Sequence, residues 1–161
     1  MSSNDLEAAR GVAFRFLGYS ARSRKEIVER LERDEFTPAV IDAVLAECEI
    51  NGWVDDDKFA KEWIEDRADR KQYGKARLKQ ELQRKGIDRE TLDTALGEVE
   101  DEDEKRRALA AARTKWREES MQGLSREALH AEKRKLSNFL MRRGFTWSTI
   151  RQVLAEILPN D

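Results

Sequence analysis

The chain has 161 residues, of which 40% are charged and 39% apolar. Ordinary globular chains are about one quarter charged, so this one has more polar surface than a single sphere needs and is expected to be elongated or modular. No apolar run approaches the ~20 residues of a membrane span. One cysteine and one histidine exclude an internal disulfide and argue against a Cys/His zinc site.

Helix is the expected structure throughout. Glycine and proline supply only ten residues, roughly half of ordinary usage. Valine, isoleucine and threonine number 20, so β-branched residues that favour strands are scarce. The first ten residues are polar and acidic, unlike a secretory leader, and a cytoplasmic location is expected. No GxxxxGK[ST], GxGxxG or GxSxG stretch occurs. The prediction is therefore no catalytic centre, no cofactor and no metal.

The first segment, about Leu6–Tyr19, carries an apolar face of Val12, Ala13, Phe16 and Leu17. Ser23 and Glu26 then form a capping-box pattern ahead of a helix with Ile27 and Leu31 four apart. Thr37-Pro38 places a cap before a proline at the first helical position, and Ile41 and Leu45 continue on one face. Cys48 follows Val44 by one turn and is expected to be a small buried hydrophobe. Asp55-Asp56-Asp57 marks a helix start favoured by the dipole rather than a metal site. That helix runs to about Arg70, with Phe59, Trp63 and Ile64 as core residues.

A second helix pair follows, with Leu78 and Leu82, Gly86-Ile87, the cap Asp88, then Leu92 and Leu96. The acidic stretch 98–104 leads to a helix over about Asp103–Glu119 with an apolar face of Leu109, Ala112 and Trp116. The stretch 118–125 is the most loop-like interior segment. The last pair holds Leu136, Phe139 and Leu140, Gly144-Phe145, the cap Thr146, then Ile150 and Leu154.

These pairs are copies of one unit. Ile27, Leu78 and Leu136 correspond, as do Leu31, Leu82 and Leu140, then Phe36, Ile87 and Phe145, at spacings of 51 and 58 residues. Such spacing indicates a tandem supersecondary repeat. The predicted fold is all-α, with three helix-turn-helix-like modules of three helices and no wing, covering 1–54, 55–100 and 101–161. Gly86 and Gly144 fall just past a helix end, where a left-handed residue is wanted. Glu35 holds that place in the first copy, so its turn is expected to be strained. Trp53 and Trp147 sit at turns, where packing under a loop is expected over exposure for contact. His130 is expected at the surface.

The net charge of −2 conceals blocks: residues 67–89 carry +6, residues 90–104 carry −8, and residues 105–161 carry +7. The basic residues Arg67, Arg70, Lys71, Lys75, Arg77, Lys79, Arg84 and Lys85 surround the Tyr73-Gly74 turn. Lys133, Arg134, Lys135, Arg142 and Arg143 form a comparable set in the third copy. These thirteen are the candidate partner-binding residues. They suit nucleic-acid phosphate, the acidic surface of a protein, or no partner at all as solvated faces. Arg77, Arg84 and Lys85 approximate one helical stripe, and reversing their charge is expected to leave folding intact.

Asn51-Gly-Trp-Val-Asp-Asp-Asp-Lys-Phe-Ala60, Tyr73-Gly-Lys75, Leu78-x-x-x-Leu82-x-x-x-Gly86-Ile87 and Arg22-Ser-Arg-Lys-Glu-Ile27 resemble the RecX family of bacterial recombination regulators, over about residues 10–158. Trp53 and Asp34-Glu35 depart from the family pattern. The resemblance implies binding to RecA filaments on single-stranded DNA, within the filament groove. It implies restraint of ATP hydrolysis, strand exchange and coprotease activity by a monomeric regulator with no membrane association. Direct DNA contact stays open, and the alternative is a stand-alone helix-turn-helix DNA-binding regulator, expected to be dimeric.

Overall fold

The computed structural model describes residues 2–158, with the side chain of Glu118 outside the description. The described residues contain nine α-helices and no strand. They are α1 (Ser3–Tyr19), α2 (Arg24–Arg33), α3 (Pro38–Ile50), α4 (Asp56–Lys71), α5 (Lys75–Arg84), α6 (Arg89–Gly97), α7 (Asp101–Lys115), α8 (Arg126–Arg142) and α9 (Trp147–Ile157), with a short 3-10 turn at Glu118–Met121.

Local chemistry sets most helix starts. Ser2 accepts from the Asp5 amide and starts α1 three residues earlier than expected. At α2 the capping box is complete: Ser23 Oγ accepts from the Glu26 amide, and Glu26 accepts from the Ser23 amide at 2.9 Å. Thr37 and Thr146 cap α3 and α9 through their hydroxyls, and Asp88 accepts from the Thr91 amide at 2.8 Å. Each such cap contributes about 0.5–2 kcal/mol. Asp55 caps α4 by accepting from the Lys58 amide at 3.2 Å. Asp56 accepts from the Arg24 amide at 2.9 Å, and its burial pushes the carboxyl up from its ordinary value.

The helix ends reproduce the repeat atom by atom. After α2, Phe36 N–H donates to Leu31 O and Glu35 N–H to Glu32 O. After α5, Ile87 donates to Leu82 and Gly86 to Gln83; after α8, Phe145 donates to Leu140 and Gly144 to Met141. These paired bonds are Schellman motifs, and Leu31, Leu82 and Leu140 accept at the same place in each. All three leucines have 0% exposure. The motif needs a left-handed residue, and Gly86 (φ 79) and Gly144 (φ 88) supply it.

Glu35 adopts φ 63 in the same place, so the expected strain is present. A left-handed non-glycine residue costs about 1–2 kcal/mol, partly offset by the unfolded-state entropy of glycine. Glu35→Gly is therefore expected to raise stability by about 0.5–1 kcal/mol, read as a higher urea midpoint with an unchanged slope.

Two compact units divide the chain. The first holds residues up to Glu62 together with Leu82–Asp93; the second holds Trp63–Glu81 together with residues from Thr94 onward. The border passes within α4, α5 and α6, so the middle repeat contributes to both. In the first unit α1, α2 and α3 pack on one another around Ala9, Ala13, Ile27, Leu31, Val44, Leu45 and Cys48. Cys48 is 2% exposed, and burial pushes its thiol up from its ordinary value. In the second unit α7, α8 and α9 enclose Ala108, Ala111, Leu136, Leu140, Ile150, Val153 and Leu154.

Three expectations need correction. The seventh helix ends at Lys115, not Glu119, because Trp116 is extended (φ −121, ψ 114). Its half-buried ring packs 5.3 Å from Phe139, and its Nε1–H donates to Glu132 at 2.9 Å. That bond and Lys135 hold the Glu132 carboxyl below its ordinary value. The stretch after it is not simply a loop, since Met121 ends the 3-10 turn buried in the core. Trp53 (43% exposed) and Trp147 (54%) are not covered by loops. Trp53 packs against exposed Phe14 in an edge arrangement, at 4.8 Å between centroids. His130 is exposed as expected.

Candidate partner-binding surface

Several of the basic residues sit at two turn-on-turn joints, one inside each unit. In the first joint, Ser23 Oγ donates to Lys85 O at 2.6 Å and Lys25 Nζ to Arg84 O at 3.3 Å. A Cβ on Gly86 would lie 2.5 Å from Lys25 Cβ. Lys85 Nζ is paired with Glu26 at 2.5 Å, with both side chains largely covered. The Lys85 charge is therefore neutralised within the fold.

In the second joint, Gly74 N–H donates to Arg143 O at 2.7 Å and Ala76 N–H to Gly144 O at 3.1 Å. A Cβ on Gly74 would lie 2.3 Å from Gly144 O, so only glycine permits this approach. Arg77 lays its guanidinium 3.8 Å over the Tyr73 ring and donates to Arg142 O at 3.3 Å. Arg143 lies 6.0 Å from the same ring, donates to Lys71 O, and stands 4.9 Å from Phe139. Lys71 Nζ is 5.9 Å from Tyr73. The two basic sets, separate in sequence, thus meet at Tyr73. Cation–ring contacts of this kind contribute about 0.5–1 kcal/mol where exposed.

The remaining candidates divide into committed and open groups. Arg67 covers the Trp63 ring at 4.0 Å and pairs with Asp66. Arg70 pairs with Asp66 at 3.2 Å, and Lys135 with Glu132 at 3.0 Å. The Lys75 side chain meets Asp101 at 3.1 Å, and its amide donates to Glu104 at 3.2 Å. Lys79, Arg84, Lys133, Arg134 and Arg142 are exposed, and their side chains meet no partner among the described residues.

The three residues of the Arg77, Arg84 and Lys85 stripe have different surroundings: Arg77 lies on the Tyr73 ring, Lys85 pairs with Glu26, and Arg84 is exposed. Arg77 belongs to the second unit, and Arg84 and Lys85 to the first. Reversing Lys85 would set a carboxylate against Glu26, so the triple reversal is expected to disturb folding as well as binding.

Sequence reasoning missed three groups. Lys115 approaches the Phe139 ring at 4.9 Å; its signal is its place in the last turn of α7, beside Trp116. Glu104 (2% exposed) and Arg107 (8%) are buried on α7. Burial pulls the Arg107 guanidinium down from its ordinary value, against the fields of Glu104, Asp103 and Asp69. Their acidic and basic run in sequence looks like solvated surface, so nothing there marked them.

No described helix is long and apolar enough to cross a membrane. Among the described residues no group of three His, Cys, Asp or Glu side chains could hold a metal.

Repeated caps, equivalent buried leucines and turn-on-turn joints define an all-α protein of tandem three-helix modules. Residues 9–48, 55–96 and 101–154 match, in order, the first, second and third three-helix domains of RecX. A Regulatory protein RecX of Chlorobium phaeobacteroides is 36% identical over 157 residues, covering 98% of both chains. One from Mycolicibacterium smegmatis is 32% identical over 96% of this chain and 82% of the relative. The crystal structure of RecX from Lactobacillus salivarius superposes with a TM-score of 0.85 at 19% identity, covering 97% of this chain and 98% of that one. The chain belongs to the RecX family.

Proposed function

We propose that this protein binds RecA filaments on single-stranded DNA and restrains their ATPase, strand-exchange and coprotease activities. It acts as a monomer in the cytoplasm, lying along the filament groove. Membership of a family whose relatives are named regulatory proteins supports the regulatory role. The observation that carries the contact surface is the exposure of cations whose side chains meet no partner among the described residues: Lys79, Arg84, Lys133 and Arg134. Unpaired surface cations have no internal ion pair to break before meeting a partner, whereas Lys75 and Lys85 do.

The test is a variant with Lys79, Arg84, Lys133 and Arg134 all changed to Glu. Surface substitutions without partners usually alter stability by under about 0.5 kcal/mol each, so it should melt near wild type. Steering and charge-assisted contact are lost together. In a RecA ATPase assay on single-stranded DNA, wild type is expected to inhibit and the variant to need at least about tenfold more protein. Inhibition by wild type should also weaken as salt rises from low to physiological, through screening. A folded variant with wild-type potency would remove these four residues from the interface. A dimer on a sizing column with no effect on the filament would favour the helix-turn-helix DNA-binding alternative.

A further inference from the structure

The turn between α8 and α9 is flanked by two large apolar side chains left largely open, Met141 at 57% exposure and Trp147 at 54%. The other two repeats have no such pair. The register that aligns Phe36, Ile87 and Phe145 sets Glu32 and Gln83 against Met141, and Pro38 and Arg89 against Trp147. The carbonyls of Glu32, Gln83 and Met141 all accept the same bond of the helix-end motif. The turn therefore forms equally well with polar side chains in these places, and local folding does not account for Met141 and Trp147.

The exposed side chains beside them are guanidiniums. Arg134 precedes Met141 by two helical turns on one stripe of α8. Arg142 follows Met141 directly, and Arg151 stands one turn beyond Trp147 on α9. All three arginines are exposed, and their side chains meet no partner among the described residues. The carboxylates nearest to them in sequence are already engaged: Glu132 with Trp116 and Lys135, and Glu156 with Lys105 at 2.7 Å.

Trp, Met and Arg are the side chains enriched at the centre of protein–protein interfaces, where Lys and carboxylates are depleted. The patch is positive, so the complementary surface is negative. We propose that the exposed face of the α8–α9 turn is a docking site for an acidic protein segment that carries an apolar anchor side chain. Met141 and Trp147 receive the anchor, and Arg134, Arg142 and Arg151 receive its carboxylates. The thioether of methionine adapts to apolar groups of varied shape, and guanidiniums match carboxylates in fork geometry. A nucleic-acid strand would match the charges, but it would meet one ring and a flexible aliphatic chain instead of a row of stacking platforms. The inference rests on the regulatory reading only for the existence of a protein partner. Its test contains no recombinase, so the two can fail separately.

The experiment is fluorescence anisotropy of the full chain with two labelled acidic peptides of equal length and charge at low salt. One peptide has a central phenylalanine, and its twin has alanine there. The phenylalanine peptide is expected to bind at least about fivefold tighter, the lower bound for a contributing interface residue. Met141→Gln and Trp147→Arg install the residues that the second repeat carries at these places, so the double variant should fold, as checked by circular dichroism. It should cut the preference for phenylalanine to under about twofold. Trp147→Arg also adds a cation, so a surface acting by charge alone would bind both peptides more tightly with their ratio unchanged. Arg142→Gln and Arg151→Gln should each weaken both peptides alike and keep the preference. The proposal is overturned if wild type binds neither peptide or binds the twins equally, or if the folded double variant keeps the preference. It is also overturned if Met141→Gln weakens binding of a labelled oligo-dT as much as binding of the phenylalanine peptide, which would make this a strand-binding face.

Discussion

Gly144→Ala is expected to destabilise the second unit by about 2–5 kcal/mol. Two costs act together. Gly144 has φ 88, where an alanine carries about 1–2 kcal/mol of backbone strain. Its new Cβ would lie 2.4 Å from both Arg77 Cβ and Arg77 N. The amide nitrogen belongs to α5 and cannot step aside without moving the helix, so overpacking adds about 1–3 kcal/mol. Gly123→Ala separates the two terms. Gly123 has φ 77 but nothing within 4 Å of its would-be Cβ, so only strain applies and a loss of about 1–2 kcal/mol is expected. Urea unfolding of both variants checks the comparison. Equal losses would mean that the joint opens freely and that the Gly74–Gly144 approach contributes little.

Leu82→Ala is expected to cost about 2–5 kcal/mol, the range for a core leucine truncated to leave a cavity. Leu82 has 0% exposure, and its carbonyl also accepts from Ile87 at 3.1 Å in the helix cap. The mutation leaves that backbone bond in place, so the loss reports side-chain packing alone. Leu31→Ala and Leu140→Ala should fall in the same range, because both share the exposure and the cap position. A loss below about 0.5 kcal/mol at Leu82 in denaturant unfolding would show that its side chain is not part of a close-packed core.

Much of the fold was legible because its signals are local. A cap joins residues three apart, as in Ser23 with Glu26 or Thr146 with Thr149, and a Schellman turn closes within six residues. Apolar residues four apart share a helix face whatever surrounds them. The repeated leucines and the left-handed turn positions, Glu35 included, could therefore be placed from spacing alone. The family resemblance rested on the same order of residues.

The candidate surface was legible as two clusters but not as one joint. Tyr73 meets Arg143 across 70 positions of sequence, and the backbones of Gly74 and Gly144 touch at the same separation. Nothing periodic encodes such a contact. Helix boundaries near it also shifted, since α7 stops where Trp116 finds Phe139 and Glu132. A propensity-based reading carries that helix through Glu119 because the residues themselves would allow it.

By itself the sequence determined the helices, their caps, the three-fold repeat and the positions of the core leucines, all consequences of interactions within a few residues. Only the tertiary structure decided which charges are spent. Lys85 and Arg143 occupy the same place in the repeat, yet one is neutralised by Glu26 and the other shares Tyr73 with Arg77. The difference lies in what each joint brings opposite the cap. An ion pair needs two side chains within about 4 Å, a distance that only the packing of distant turns can set.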